Sequence, residues 1–290
     1  MMAFTRKPKS PHTRPRPRRL GWCLAFLWIA LSACTSTSPP DCRFPGATLL
    51  VPYVGQGHGI ALVVARKAVV FDAGPPAQGA LARSLRRAGV DSIEAIYLTH
   101  PDLDHRGGFD SLFATFPVQR LVHGPLDSAR RAQTIAWACR RTMSGCDTIW
   151  HGRSRTHSGS IRIDAFWPDS GRTFGDDNDG SLVLRASQGE RGLLLVSGDL
   201  DTLGELAATE FVDPVEVLQL GHHGSRTSGH LRFLGKAAPR QAIVQYGLDN
   251  DYGHPTAAAL ARARAVGARI VDPAMDGDRR IEFDPQGCAP

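Results

Sequence analysis

Six consecutive residues concentrate the chemistry of this sequence. His100-Pro101-Asp102-Leu103-Asp104-His105 places four side chains with metal-binding donor atoms in six positions. The run 95–98 before it is short, branched and aromatic, as a buried strand requires, and Gly107-Gly108 follows. At strand or turn spacing His100 and Asp102 point the same way, while Asp104 and His105 come round the corner to a different point. Two metal ions a few ångströms apart suit that geometry better than one. A polar turn with its side chains on loose backbone groups would account for a lone His-x-Asp. It does not account for this density of ligands.

Three further strand ends carry polar residues. Residues 193–196 run into Ser197-Gly198-Asp199, where the carboxylate is either a cap or a ligand. Residues 215–220 end in Gly221-His222-His223-Gly224-Ser225. Two adjacent His cannot both reach one ion without strain, so one is a ligand and the other faces substrate. Residues 68–71 close on Asp72-Ala73-Gly74. Near the end, Tyr252-Gly253-His254-Pro255 precedes a helix, so His254 either lines a cleft or fixes the turn.

The His100 run resembles the signature of the metallo-β-lactamase fold, His-x-His-x-Asp-His after a strand, with Asp102 where most of that family has a second His. The hydrolase domain of the ComEC competence proteins shares this departure. The resemblance covers residues 46–285, through VGQG, FDAG, HPDLDH, SLVL, SGD, GHHGS and YGHP in order. The Leu-Gly-His-His-Gly element is also similar to a phosphorylcholine esterase of the same fold. His58 stands where ComEC sequences usually have Asp.

The resemblance implies an α/β fold, a four-layer αββα sandwich. It implies a metal-ligand set of His100, Asp102, Asp104, His105, Asp199 and His223, with Asp199 bridging two divalent ions. His222 would then donate to a phosphate oxygen or leaving group, although the two His could exchange roles. Catalytic candidates are His222, Asp104 and His254. Asp72 would orient ligand imidazoles from behind, or simply cap its turn. The family's His before the strand preceding Asp199 is missing, and Asp177 is the candidate replacement, in what is otherwise an acidic loop.

Three carboxylates, two divalent ions (Zn or Mn) and a bridging hydroxide sum to a roughly neutral site with open coordination positions. Metal-assisted cleavage of a phosphodiester, in a small molecule or a single-stranded nucleic acid, is the expected reaction. A β-lactamase- or lactonase-type ring hydrolase and a non-catalytic binding lipoprotein are the alternatives. No stable protein partner is implied.

The elements that must position these residues follow in order. Strands are expected at 47–53, 60–65, 68–71, 95–98, 118–122, 161–166, 182–185, 193–196 and 215–220, with helices at 80–88, 127–141 and 256–266 and a turn at 143–147. Ahead of them, residues 1–33 read as a signal peptide ending Leu31-Ser32-Ala33-Cys34, a lipobox-like site at which Cys34 would be lipidated. Residues 34–45 would tether the 46–288 hydrolase domain to a membrane, the periplasmic face of the outer membrane in a Gram-negative cell. Seven of the 34 Lys and Arg lie in that leader, which has no acid, so the remaining chain is near neutral and lacks a general nucleic-acid footprint. Arg130, Arg131, Arg140, Arg141, Arg153 and Arg155 make a local basic stretch. Export implies an oxidising compartment, so Cys42, Cys139, Cys146 and Cys288 are expected to form two disulfides. The short Cys139–Cys146 loop closes easily, leaving Cys42 and Cys288 at the domain's two ends.

Overall fold

The strand Ile60–Val64 shows how the sandwich is built. Ile60, Leu62 and Val64 enter one apolar cluster, while Ala61 and Val63 enter another on the opposite face. A strand buried on both sides reads as a continuous apolar run, and the period of two decides which core each residue joins. Burial of each such Leu or Ile contributes about 1.5–3 kcal/mol. The computed structural model describes residues 42–76, 78–126 and 129–288. The expected signal peptide, Cys34 and most of the tether lie outside the described residues.

Two seven-stranded sheets face each other. The first runs in the order Arg279–Phe283, Ala47–Val51, Ile60–Val64, Lys67–Phe71, Ser92–Leu98, Leu121–His123, Cys146–Thr148. The second runs Arg269–Val271, Gln241–Ile243, Val217–Gln219, Arg191–Val196, Val183–Gln188, Ile161–Trp167, Ser154–His157. In each sheet one half is antiparallel and the other parallel. The inner faces share one core, in which Leu49, Leu62 and Phe71 meet Ile163, Leu184 and Val196. Helices Ala80–Arg87, Phe109–Thr115 and Ala129–Cys139 cover the first sheet through Leu81, Leu85, Phe109 and Ile135. Helices Thr202–Ala208, Leu231–Ala237 and Ala257–Ala265 cover the second through Ala208, Phe233, Leu234 and Ala263. This is the αββα sandwich of the metallo-β-lactamase fold. None of the described helices is long and apolar enough to cross a membrane.

Several local expectations shift. Residues 146–148 belong to an edge strand, because Cys146 pairs in parallel register with Leu121. The tether was expected to extend to residue 45, yet Cys42–Phe44 is a strand paired with Gln286–Cys288, so the fold begins earlier. Ser154–His157 is a strand with little apolar content, held by its pairing to Ile161–Trp167. The basic stretch disperses: Arg141 pairs with Asp110, Arg155 with Asp147, and Arg153 lies over the Trp150 ring. His157 packs on Tyr97, whose hydroxyl is 2.8 Å from its Nε2, and His151 packs on Phe211.

Cys139 and Cys146 form a disulfide that ties the end of a helix to the edge strand. The register sets the backbone of Cys42 opposite Cys288; their side chains lie outside the described part. Non-reducing peptide mapping is expected to recover Cys139–Cys146 and Cys42–Cys288. Cys139→Ser should lower stability by about 2 kcal/mol, as expected for a short closed loop, measurable by denaturant unfolding. A free thiol at either position of the short loop would contradict the structure.

Candidate metal centre

Strand Ser92–Leu98 lies between two parallel neighbours, and its carboxyl end delivers Thr99 and His100. One turn later the four-residue helix Leu103–Arg106 carries Asp104 and His105. Gly107 and Gly108 let this helix settle on the Asp72 turn: a Cβ on Gly108 would stand 2.1 Å from the Ala73 carbonyl oxygen. Strand Arg191–Val196 delivers Asp199 through Gly198, whose φ is +53°. Strand Val217–Gln219 delivers His222 and His223, both at positive φ between Gly221 and Gly224. Non-glycine residues in that region carry local strain, about 1–3 kcal/mol each, and such strain gathers at functional sites.

These strand ends converge. Donor atoms of Asp104, His105, Asp199 and His223 all lie within 4.8 Å of one another. Asp199 is central and 4 % exposed. Its Oδ1 is 3.2 Å from His105 Nε2; its Oδ2 is 3.4 Å from His223 Nε2, 3.9 Å from His222 Nε2 and 4.0 Å from His100 Nε2. Asp104 Oδ2 lies 3.2 Å from His223 Nε2, and Asp102 Oδ2 lies 3.7 Å from His100 Nε2. Asp102 stays half-exposed, and His222 is more open than the buried His223. Asp177 shares a small cavity wall with His100 and His123, and its charge helps raise the Asp102 carboxyl, after burial and ahead of Asp104.

Behind the ligands, hydrogen bonds set the tautomers. Asp72 is fully buried and accepts from Thr99 N–H (2.8 Å), Thr99 Oγ1–H (2.7 Å), His105 Nδ1–H (2.7 Å) and His58 Nδ1–H (2.9 Å). With its hydroxyl proton given to Asp72, Thr99 Oγ1 can accept from His100 Nδ1, 3.1 Å away. His223 Nδ1–H donates to the Gln245 carbonyl at 2.9 Å. All three imidazoles therefore turn Nε2 toward Asp199. His100 Nε2, His105 Nε2 and Asp199 Oδ1 are buried without a hydrogen-bond partner. Buried orphans cost about 1–3 kcal/mol each, and three nitrogen and oxygen donors aimed at one small volume fit a divalent cation.

Electrostatics agree with that donor set. Burial opposes ionisation of Asp72 and Asp199, yet His105 and its neighbours hold both carboxyls below the usual range. Burial alone would depress His223, but Asp199 and Asp104 raise it to about 9. Asp199 and Asp72 likewise raise His105. Burial and the adjacent His105 push His100 down to about 4. An ion binding here would exchange with the imidazole protons.

Some contributors carried little signal in the sequence. His58 is 1 % exposed and shares the Asp72 carboxylate with His105; its position in a Gly-rich loop was the available hint. Gln245 donates through Nε2 to the Pro52 and Gly59 carbonyls and accepts from Gly59 N–H, pinning that loop beside His223. Gln219 does the same for the Asp199 turn, accepting from Ser197 N–H and donating to the Gly198 carbonyl. Glu205 accepts from Gly229 and His230 N–H behind the His222–His223 turn, and burial raises its carboxyl to about 7. Nothing in the local sequence marks these three. His254 lines the cleft, its ring 5.5 Å from that of His222.

The profile of the Metallo-beta-lactamase superfamily matches residues 52–133. The chain is 32 % identical over 272 residues to "Competence protein ComA" of Neisseria gonorrhoeae, covering 90 % of this chain and 36 % of that protein. It is 26 % identical to "Recombination protein 2" of Haemophilus influenzae, over 79 % of this chain and 28 % of that one. The chain thus spans about a third of the length of these relatives. "Ribonuclease Z" of Bradyrhizobium diazoefficiens is 28 % identical, with 79 % of this chain and 87 % of that protein covered. Among solved structures, the metallo-beta-lactamase fold protein YhfI of Bacillus subtilis superposes with a TM-score of 0.58 at 11 % identity, over 83 % of this chain and all of that one.

Two substitutions separate the direct donors from the shell behind them. Asp199→Ala should abolish stoichiometric metal, measured by plasma emission after gel filtration. Asp72→Asn keeps every donor atom but misorients His105, so metal affinity should fall about 10–100-fold. Unchanged metal content in Asp199→Ala would remove Asp199 from the centre.

Proposed function

We infer, from the premise that this chain is a metal-dependent hydrolase of the metallo-β-lactamase fold, that it uses two divalent ions to cleave a phosphodiester. The observation that carries this reading is the placement of Asp199, which lies between two donor groups: Asp104, His105 and His223, whose donor atoms and its own all fall within 4.8 Å of one another, and His100, 4.0 Å from its Oδ2 and 3.7 Å from Asp102. A carboxylate so placed suits a bridging role: His100 and Asp102 would serve one ion, Asp104, His105 and His223 the other, and Asp177 would add a carboxylate beside the first. When bound, the ions polarise a phosphoryl oxygen and lower the pKa of water to roughly 7. The oxygen-rich donor set makes Mn²⁺ a credible occupant beside Zn²⁺.

The remaining roles fall to the chain itself. Asp72 and the Gln245 carbonyl hold His105 and His223 in fixed tautomers. His222, on the open side of Asp199, is positioned to give a proton to the leaving oxygen, and His254 abuts its ring. Similarity to a protein named as a ribonuclease supports a phosphodiester over a lactam ring. We further propose that the chain is exported and held at a membrane by lipid on Cys34. In that case mass spectrometry of membrane-extracted protein finds an acylated N-terminal Cys34, and Cys34→Ser moves the protein to the soluble fraction.

Purified protein refilled with Mn²⁺ or Zn²⁺ should turn over bis-p-nitrophenyl phosphate and leave nitrocefin intact. Chelation should stop turnover and added metal restore it. Asp199→Ala should lower kcat/KM by more than the roughly 100-fold upper range of outer-shell changes. Nitrocefin hydrolysis without phosphodiester hydrolysis would reverse the reading.

A further inference from the structure

The metal cleft, about 410 Å³, is lined by Gln56, Asp102, Leu103, Asn178, His222 and Tyr252 among others, and among the described residues none that lines it is Lys or Arg. Proteins that track a nucleic-acid backbone neutralise its phosphates with such cations. The described lining therefore offers no side-chain cation to the neighbouring phosphates of a long polyanion. What it does present is one aromatic face. Tyr252 is 71 % exposed and stands on the rim. Its ring is stacked on His254 with centroids 5.9 Å apart and planes 24° from parallel. His254 meets His222 edge-on at 5.5 Å, and His222 Nε2 is 3.9 Å from Asp199. The three rings step from solvent to the metal ligands.

The loop that carries the outermost ring is anchored. Asn250 Oδ1 accepts from both Tyr252 N–H and His254 N–H at 3.1 Å. Asn250 Nδ2 donates to the Gly247 and His254 carbonyls at 2.7 Å. An exposed tyrosine on an anchored loop loses little side-chain entropy when a flat ligand covers it. Stacking on an aromatic face is open to any base. A quaternary ammonium would need a cage of several aromatic faces, and among the described residues Tyr252 is the only Phe, Tyr or Trp lining this cleft.

Resting on the phosphodiester reading above, we propose that Tyr252 stacks the base adjoining the scissile phosphate. The substrate is then a nucleotidyl phosphodiester recognised through one base, with little contribution from neighbouring phosphates. Tyr252 is a specificity-determining residue in this scheme and takes no part in bond cleavage.

Titration calorimetry on the Mn²⁺-loaded full chain tests this with thymidine 5′-monophosphate and 2-deoxyribose 5-phosphate, which differ only in the base. The wild type should prefer the nucleotide by about tenfold, within the range of base–aromatic stacking. Tyr252→Ala should bring that ratio to about one, and Tyr252→Trp should keep it. A thymidine decamer should weaken less than about threefold between roughly 50 and 200 mM salt, where a backbone tracker loses about 10³-fold or more. The proposal is overturned by a wild-type ratio of one or no binding of either ligand. It is equally overturned by a ratio that Tyr252→Ala leaves intact or Tyr252→Trp destroys, by a steep salt dependence, or by Tyr252-dependent preference for phosphocholine. Because binding is read without turnover, failure to hydrolyse bis-p-nitrophenyl phosphate would mark the separate failure of the phosphodiester reading.

Discussion

The metal centre depends on one buried carboxylate that is not itself placed among the ligands. Asp72 sits at the end of strand Lys67–Phe71 with φ +55°, a region Asp tolerates better than most residues. Its four donors come from three separate segments: Thr99 at the neighbouring strand's end, His105 in the ligand helix, and His58 in the first loop. An unpaired carboxylate in that position would carry a large desolvation penalty, so the segments are obliged to meet around it. Once they meet, the orientation of His105 follows.

The second half of the centre is organised by two amides and, behind them, by one carboxyl and one guanidinium. Gln219 and Gln245 lie at the carboxyl ends of adjacent parallel strands, and each ties down a glycine-containing turn through both ends of its amide. An amide can donate and accept at once, which suits a turn with both orphan N–H and C=O groups. The positive-φ conformation of His222 and His223 is supported from behind by Glu205 and by Arg262, which donates to the Arg226, Ser228 and Gly229 carbonyls. Strain at the ligands is thus maintained by a surrounding network.

The cleft in front of the centre departs from the usual look of a nucleic-acid enzyme. Its carboxylates are Asp102, Asp104 and Asp199, and its apolar lining among the described residues comes from Pro76, the exposed Leu103 and the Tyr252 ring. Under the proposed function, binding energy there would come from bound metal and from flat-ring contact, which would favour small or terminal substrates over extended ones.

Much of this was legible in the linear chain, since ligand residues at strand ends are local patterns: an apolar run followed by His, Asp and Gly forms the same unit wherever it is placed. The density of donor types at residues 100–105 and the close Cys pair belong to that class; spacing alone left Asp199 as cap or ligand and His222 and His223 interchangeable, and the full ligand set came from the family resemblance. What the tertiary structure decided is which atoms face one another. His223 turns inward and His222 outward because the Gln245 carbonyl, 22 residues away, takes the Nδ1 proton of the former. Asp72 is a shared acceptor because Thr99, His58 and His105 are brought to it by sheet pairing and glycine contacts. His58, Gln219, Gln245 and Glu205 are ordinary polar residues in sequence, and acquire roles only through backbone groups from distant segments. Side-chain type and spacing set the possible chemistry; long-range packing sets the direction of each lone pair, and no local pattern encodes that.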